Sequence, residues 1–256
     1  MTTRGGYTIL PTTWKARLLL ALAFLGGSAI VLAGASASLF DTADVLPDAP
    51  CYGSHRAACL EAQTELEPVS RESCEGTGRR ICLVPIGKVS AALVRHLAGY
   101  YLDQYGLNVT VLTPAAVPGD LPNSRGDQID SDALIEYMGT LFPEEYDERE
   151  VVLVGITPLD LYKSDREWRF AFGARGAYEA PQGVISTFRM NPETFGERPA
   201  DERFFARVRK LLSKYIGLLY YDLAPSQDPN SPLYDSILGV SDLDRMREPL
   251  PVAGAR

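Results

Sequence analysis

The sequence predicts an α/β fold: a mixed twisted sheet with flanking helices, preceded by an N-terminal apolar helix. Three observations predict it. Short apolar runs alternate with helical periodicity between Ile81 and Ile156, a β-α-β-α-β order that implies a mostly parallel sheet with right-handed crossovers. Two strand-like pieces then follow on a short Gly/Pro connection, as an antiparallel pair does. A long amphipathic helix closes the pattern. At 256 residues the chain holds one medium domain plus extras. Its net charge of -8 speaks against nucleic acid as a partner and against docking by charge on anionic lipid.

The N-terminus departs from globular composition. Residues 1–17 are a basic segment with Arg4, Lys15 and Arg17, and the uncharged run 18–40 is long enough to span a bilayer. Basic residues in front of such a run place the N-terminus inside and the remainder outside. An uncleaved transmembrane anchor would use the whole run. A signal peptide would use Leu18 to Leu32 and be cut after Ala35 or Ala37. Either way the domain is expected to be extracytoplasmic, single-pass membrane-bound in the first case and secreted or periplasmic in the second. Residues 41–79 read as an extracytoplasmic linker holding three of the four cysteines. Cys51, Cys59, Cys74 and Cys82 are candidate disulfide partners; three pairings exist, and equal spacing favours Cys51 with Cys59 and Cys74 with Cys82. A four-cysteine zinc site is the rival, although its usual Cys-x-x-Cys spacing is absent.

The folded domain is expected over residues 80–247, with a disordered tail over 248–256. Ile81–Gly87 is an apolar run and a strand. Ser90–Tyr105 has helical spacing through Leu93, Leu97, Tyr100 and Tyr101 and stops at Gly106. Leu107–Leu112 is a second strand. Asp130 or Ser131 caps a helix from Asp132 to about Phe142, which Pro143 stops. Val151–Ile156 is continuously apolar, as a strand buried on both faces is. Arg169–Gly173 and Gly183–Met190 form the strand pair. Glu202–Asp222 is the long helix, its apolar face running from Phe204 to Leu219.

Several segments carry a resemblance. Leu83-Val84-Pro85-Ile86-Gly87, Arg125-Gly126-Asp127-Gln128, Thr157-Pro158-Leu159-Asp160-Leu161-Tyr162, Phe170-Ala171-Phe172-Gly173 and Val184-Ile185-Ser186-Thr187-Phe188-Arg189 stand in the order found in archaemetzincin. The chain over about 81–224 resembles this metzincin-type zinc peptidase family. The resemblance implies a zincin-like domain whose active-site helix carries His-Glu-x-x-His-x-x-Gly-x-x-His. Histidines four apart share one helical face and one zinc, and the glutamate takes a proton from metal-bound water. In the register that aligns Arg207-Val208-Arg209-Lys210, Lys214 stands for the first histidine and Tyr215 for the glutamate. Leu218 stands for the second histidine, Tyr221 for the motif glycine and Ala224 for the third histidine. No histidine follows His96 and no cysteine follows Cys82.

Other ligands are scarce. Asp222, Asp228, Asp235, Asp242 and Asp244 lie near the site in sequence but lack the alternation of a calcium loop. No catalytic, cofactor or metal residue is assigned, and no cofactor is expected. Tyr215, Tyr220, Tyr221 and Tyr234 could fill the former cleft, as a structural module would require, whereas a peptide-binding module requires an open groove along the edge strand. Phe170, Phe172 and Gly173 match the family's edge strand, which can pair with an extended peptide. The expectation is a membrane-anchored or secreted pseudo-peptidase without catalytic zinc, serving as a peptide-binding, protein-binding or structural module of the cell envelope, with a peptide or an envelope protein as partner. The alternative is an active metallopeptidase, or another hydrolase, using atypical ligands.

Overall fold

The computed structural model describes residues 70–252 except 118, 120, 122–124 and 177–179. The expected anchor or signal segment, Cys51 and Cys59 lie outside the described residues. Chain contacts separate Met1–Asp41 from Thr42–Arg256, and all described residues belong to the second unit.

In chain order the elements are β1 (Arg80–Pro85), α1 (Ala91–Tyr105), β2 (Val109–Val111), β3 (Gln128–Asp130), α2 (Ser131–Leu141), α3 (Pro143–Asp147), β4 (Val151–Thr157), β5 (Asp160–Tyr162), β6 (Gly173–Arg175), β7 (Gln182–Ser186), two 3₁₀ turns (Phe188–Met190 and Pro192–Phe195), α4 (Asp201–Leu219) and α5 (Val240–Arg245). The main sheet runs β2-β1-β4-β7-β6. Its first three pairings are parallel, and β6 runs antiparallel to β7 at the edge. A separate parallel pair joins β3 to β5.

The alternation of side chains along β1 and β4 builds one core on each side of the sheet. Ile81, Leu83, Val152 and Val154 face α1 and α4, while Cys82, Val84, Val151 and Leu153 face α2. Helices therefore cover both faces, which is why β4 is buried throughout and apolar up to its last residue, Thr157. Ser90 caps α1 by accepting from the Leu93 amide, and Gly106 ends it in the left-handed region at φ 65°. Asp130 caps α2, not Ser131. Cys74 and Cys82 form a disulfide with Cα atoms 6.1 Å apart, tying the entry segment to β1.

Three expectations change. The strand expected over Arg169–Gly173 lies at Gly173–Arg175, because the residues before it turn to meet β5 through the Leu161–Ala171 bridge. The long helix ends at Leu219, where Asp222 takes φ 52° and the Leu223 amide donates back to the Gly217 carbonyl. The tail expected to be disordered from Glu248 is held as far as Val252. Glu248 accepts two bonds from Arg209, and Leu250 is buried with its amide bonded to the Tyr105 hydroxyl.

Candidate functional site

The edge strand and α4 face one another across a cleft of ≈ 1310 Å³. One wall is Phe172 to Gly176; the floor includes Leu211, Lys214, Tyr215 and Leu218; Asp235 to Leu238 close the far side. The hydrogen-bond pattern shows what the edge offers. Ser186 N donates to Phe172 O and Gly176 N to Gln182 O. In an antiparallel ladder of this register the bonded pairs are 172 with 186, 174 with 184 and 176 with 182. The main-chain groups of Gly173 and Arg175 therefore point away from β7, toward the open edge.

Tyr215 explains two glycines. A Cβ at Gly183 would stand 2.8 Å from its ring, and one at Gly173 would stand 2.7 Å from its hydroxyl and 2.5 Å from the Val184 carbonyl. The tyrosine ring lies against β6 and β7 because both positions lack side chains. Burial pushes its hydroxyl pKa well up, with Arg175 pulling it back, so it stays a hydrogen-bond donor at neutral pH.

Lys214 is 8% exposed. Its Nζ donates to the Asp235 carbonyl at 3.2 Å and stands 3.8 Å from the Asp235 carboxylate. Burial lowers its pKa to about 8; Asp235 opposes this shift and Arg175 adds to it. An amine in this state exchanges protons near neutral pH, as a general base or acid must.

The edge wall is anchored by residues scattered through the chain. Asp160, 7% exposed, accepts from Arg189 at 2.8 and 2.6 Å and from Gln128 Nε2 at 2.9 Å. Arg189 also stacks on Phe170, 4.1 Å from its ring centre. Arg125 lies over Tyr162 and donates to Gln128 and to the Arg169 carbonyl. Four motifs that are separate in the sequence thus converge on the lead-in to β6. Phe172 is core, and Phe170 is half-buried at the cleft wall.

Zinc does not fit the residues present. Lys214 is a cation, Leu218 is apolar and Ala224 lies exposed beyond the end of α4. The left-handed turn that suits the motif glycine is made by Asp222 rather than Tyr221; a register shifted by one residue puts Tyr215 and Leu219 at the histidine positions, again without a ligand. Among the described residues no group of three His, Cys, Asp or Glu could hold a metal. The aspartates after α4 have separate partners: Asp222 with Arg79, Asp228 with Arg247, Asp235 beside Lys214, Asp242 with Arg245 and Asp244 with Arg207. Nor do the tyrosines fill the cleft. Only Tyr215 of the four lines it; Tyr220 and Tyr221 pack edge to face at 4.9 Å, and with Tyr234 they flank the core.

No family model matches the chain. It is 27% identical over 138 residues to archaemetzincin from Haloarcula marismortui, covering 53% of this chain and 75% of that protein. It is 29% identical over 139 residues to archaemetzincin from Natronomonas pharaonis, with the same coverage. Among solved structures, a zinc-dependent peptidase from Methanocorpusculum labreanum superposes with a TM-score of 0.54 at 20% identity, over 66% of this chain and 94% of that one. Archaemetzincin from Methanopyrus kandleri gives 0.51 at 23%, over 67% and 88%. These findings overturn the expected pseudo-peptidase: the relatives are archaemetzincins, and one structural neighbour is a zinc-dependent peptidase. Among the described residues, which do not include 18–40, no helix is long and apolar enough to cross a membrane. The alternative, an active metallopeptidase or another hydrolase with atypical ligands, is the better supported. By sequence the chain is an archaemetzincin homologue over half its length, and its sheet and helices take the fold of archaemetzincin structures.

Proposed function

We propose that the cleft hydrolyses extended peptides as an archaemetzincin-like hydrolase whose reacting groups are Lys214 and Tyr215. The observation that carries this reading is the placement of Lys214: a buried amine titrating near 8 beneath an open edge strand, on the helix where the resemblance puts the peptidase motif. Main-chain groups of Gly173 and Arg175 pair with the substrate backbone. Neutral Lys214 takes a proton from a water molecule as the water oxygen bonds to the carbonyl carbon. The Tyr215 hydroxyl donates to the carbonyl oxygen as charge develops there. The proton on Lys214 then passes to the leaving amine nitrogen as the C–N bond breaks. This chemistry uses groups of the chain itself, and no step runs through zinc.

The test is cleavage of quenched fluorescent peptides by the full-length chain. The rate should rise as pH passes through about 8, since the neutral amine is the active form. Lys214→Met should lower it by roughly 10²- to 10⁴-fold, the usual size of a general-base effect. A chelator should leave the rate unchanged. Cleavage that survives Lys214→Met but needs added zinc would replace this reading with a metallopeptidase; no cleavage between pH 6 and 10 would end it.

A further inference from the structure

Among the arginines that line the cleft, Arg175 is the one on the edge strand; Arg149 and Arg169, like it, have no ion pair through the guanidinium among the described residues but lie outside the strands. Arg79 pairs with Asp222, Lys163 with Asp132 and Arg166 with Asp165, whereas Arg175 makes no ion pair or hydrogen bond through its guanidinium among the described residues. Its orientation follows from the strand. The Cβ direction at Gly173 meets Tyr215, so the face of β6 that holds residues 173 and 175 looks onto α4. The Arg175 charge accordingly acts on both Lys214 and Tyr215. A cation is thus set beside a second, buried cation, in a chain whose net charge is -8. Lys214 has the Asp235 carboxylate at 3.8 Å, whereas the exposed guanidinium of Arg175 has no carboxylate partner among the described residues, so an arriving anion finds its counter-charge there.

We infer that Arg175 is the specificity-determining residue of the cleft and selects peptides bearing a carboxylate side chain on the residue that pairs opposite it. The inference rests on the proposed reading that an extended peptide lies along β6. A peptide added to the edge as a new strand presents alternate side chains on the α4 side. The residue opposite Arg175 is then a cross-strand neighbour of the guanidinium, within reach of a two-pronged Arg–carboxylate contact. It lies two positions from the residue opposite Gly173, where Tyr215 stands ready to act on the carbonyl. Arg175 orients the substrate without touching the reacting atoms.

The experiment uses the full-length chain and neutral, C-terminally amidated fluorescent peptides in which one Glu, Gln or Lys is walked along the sequence. Binding is read by anisotropy and cleavage by mass spectrometry. One position should favour Glu over Gln by about threefold to tenfold, as expected for a half-exposed Arg–carboxylate pair. Arg175→Ala should erase that preference, and Arg175→Glu should transfer it to Lys, with the melting temperature unchanged because the side chain is exposed. A Glu preference that persists in Arg175→Ala overturns the inference. So does a preference seen only with free C-terminal carboxylates, which would assign the site to chain ends. Peptides cleaved without charge preference defeat this inference and leave the hydrolase reading standing. Glu-selective binding without cleavage does the reverse.

Discussion

Lys214 shows how one residue acquires a role from its surroundings. An exposed lysine titrates near 10.5; within the floor of the cleft its ammonium loses hydration and gains only a carbonyl at 3.2 Å and a carboxylate at 3.8 Å. The sign for stability follows. Between about 8 and 10.5 the unfolded chain holds the proton more tightly than the folded one, so stability attributable to this group rises as pH rises across that window, and below it the buried charge is a constant penalty. Lys214→Met should therefore stabilise the protein at pH 7 by about 1–3 kcal/mol and remove that rise, measured by urea unfolding at pH 7 and 10. An unchanged or lowered midpoint at pH 7 would mean the ammonium is better solvated than its 8% exposure indicates. Nothing in the local sequence around Lys214 foretold this. The helical period places it on the same broad face as Leu211 and Leu218, but only the opposing wall, brought from residues 172–176, makes that face a cleft.

At the scale of elements, α4 is held from its polar side as firmly as from its apolar one. Arg207 gives Asp244 two bonds, at 2.7 and 2.6 Å, and a third to the Met190 carbonyl; its side chain is 7% exposed. Arg209 binds Glu202, Glu248 and the His96 ring nitrogen, which must be the unprotonated one because the guanidinium can only donate. The two arginines thus clamp α5 and the following segment onto α4. Asp244→Ala should cost about 1–3 kcal/mol, less than a fully buried pair would because the carboxylate is half-exposed, and more than a surface pair because Arg207 is left buried. A thermal shift below 1 °C would contradict it. In the sequence these arginines read as a helix lead-in, since Asp244 and Glu248, which neutralise them from outside the helix, lie 37 and 39 residues away. The edge strand was legible as a resemblance and misplaced by about three residues, because the Phe170–Phe172 alternation suits a strand while the Asp160–Arg189 and Arg125 contacts bend that stretch toward β5.

For the whole molecule, the disulfide joins the first described segment to the central sheet, where Arg80 also donates to the Cys74 carbonyl and Glu145 accepts from the Cys74 amide. The closed loop is short, with a sequence separation of 8, so chain entropy gives the bridge about 2.5 kcal/mol. Reduction should lower the unfolding free energy by that order without loss of the sheet, observed as a shift in denaturant midpoint with the far-UV spectrum retained. If reduction instead collapses the sheet, the bridge is needed to form β1, and the estimate from loop entropy is the wrong account.

What could be read directly from the residues is local in origin. Period two against period 3.6, the caps at Ser90, Asp130 and Gly106, and a doubly buried strand all depend on neighbours within a few positions, and they led to the right layers and the mostly parallel sheet. The five ordered motifs carried the likeness to archaemetzincin, and the missing histidines were plain from composition. The tertiary structure decided the rest. The meeting of Gln128, Asp160 and Arg189, the opposition of β6 to α4, the pairing of Asp222 with Arg79 and of Asp244 with Arg207, and the openness of the cleft all join residues tens of positions apart. Contacts of that range leave no periodic trace in the chain, because their geometry is set by how the sheet stacks and twists rather than by any residue's own preference.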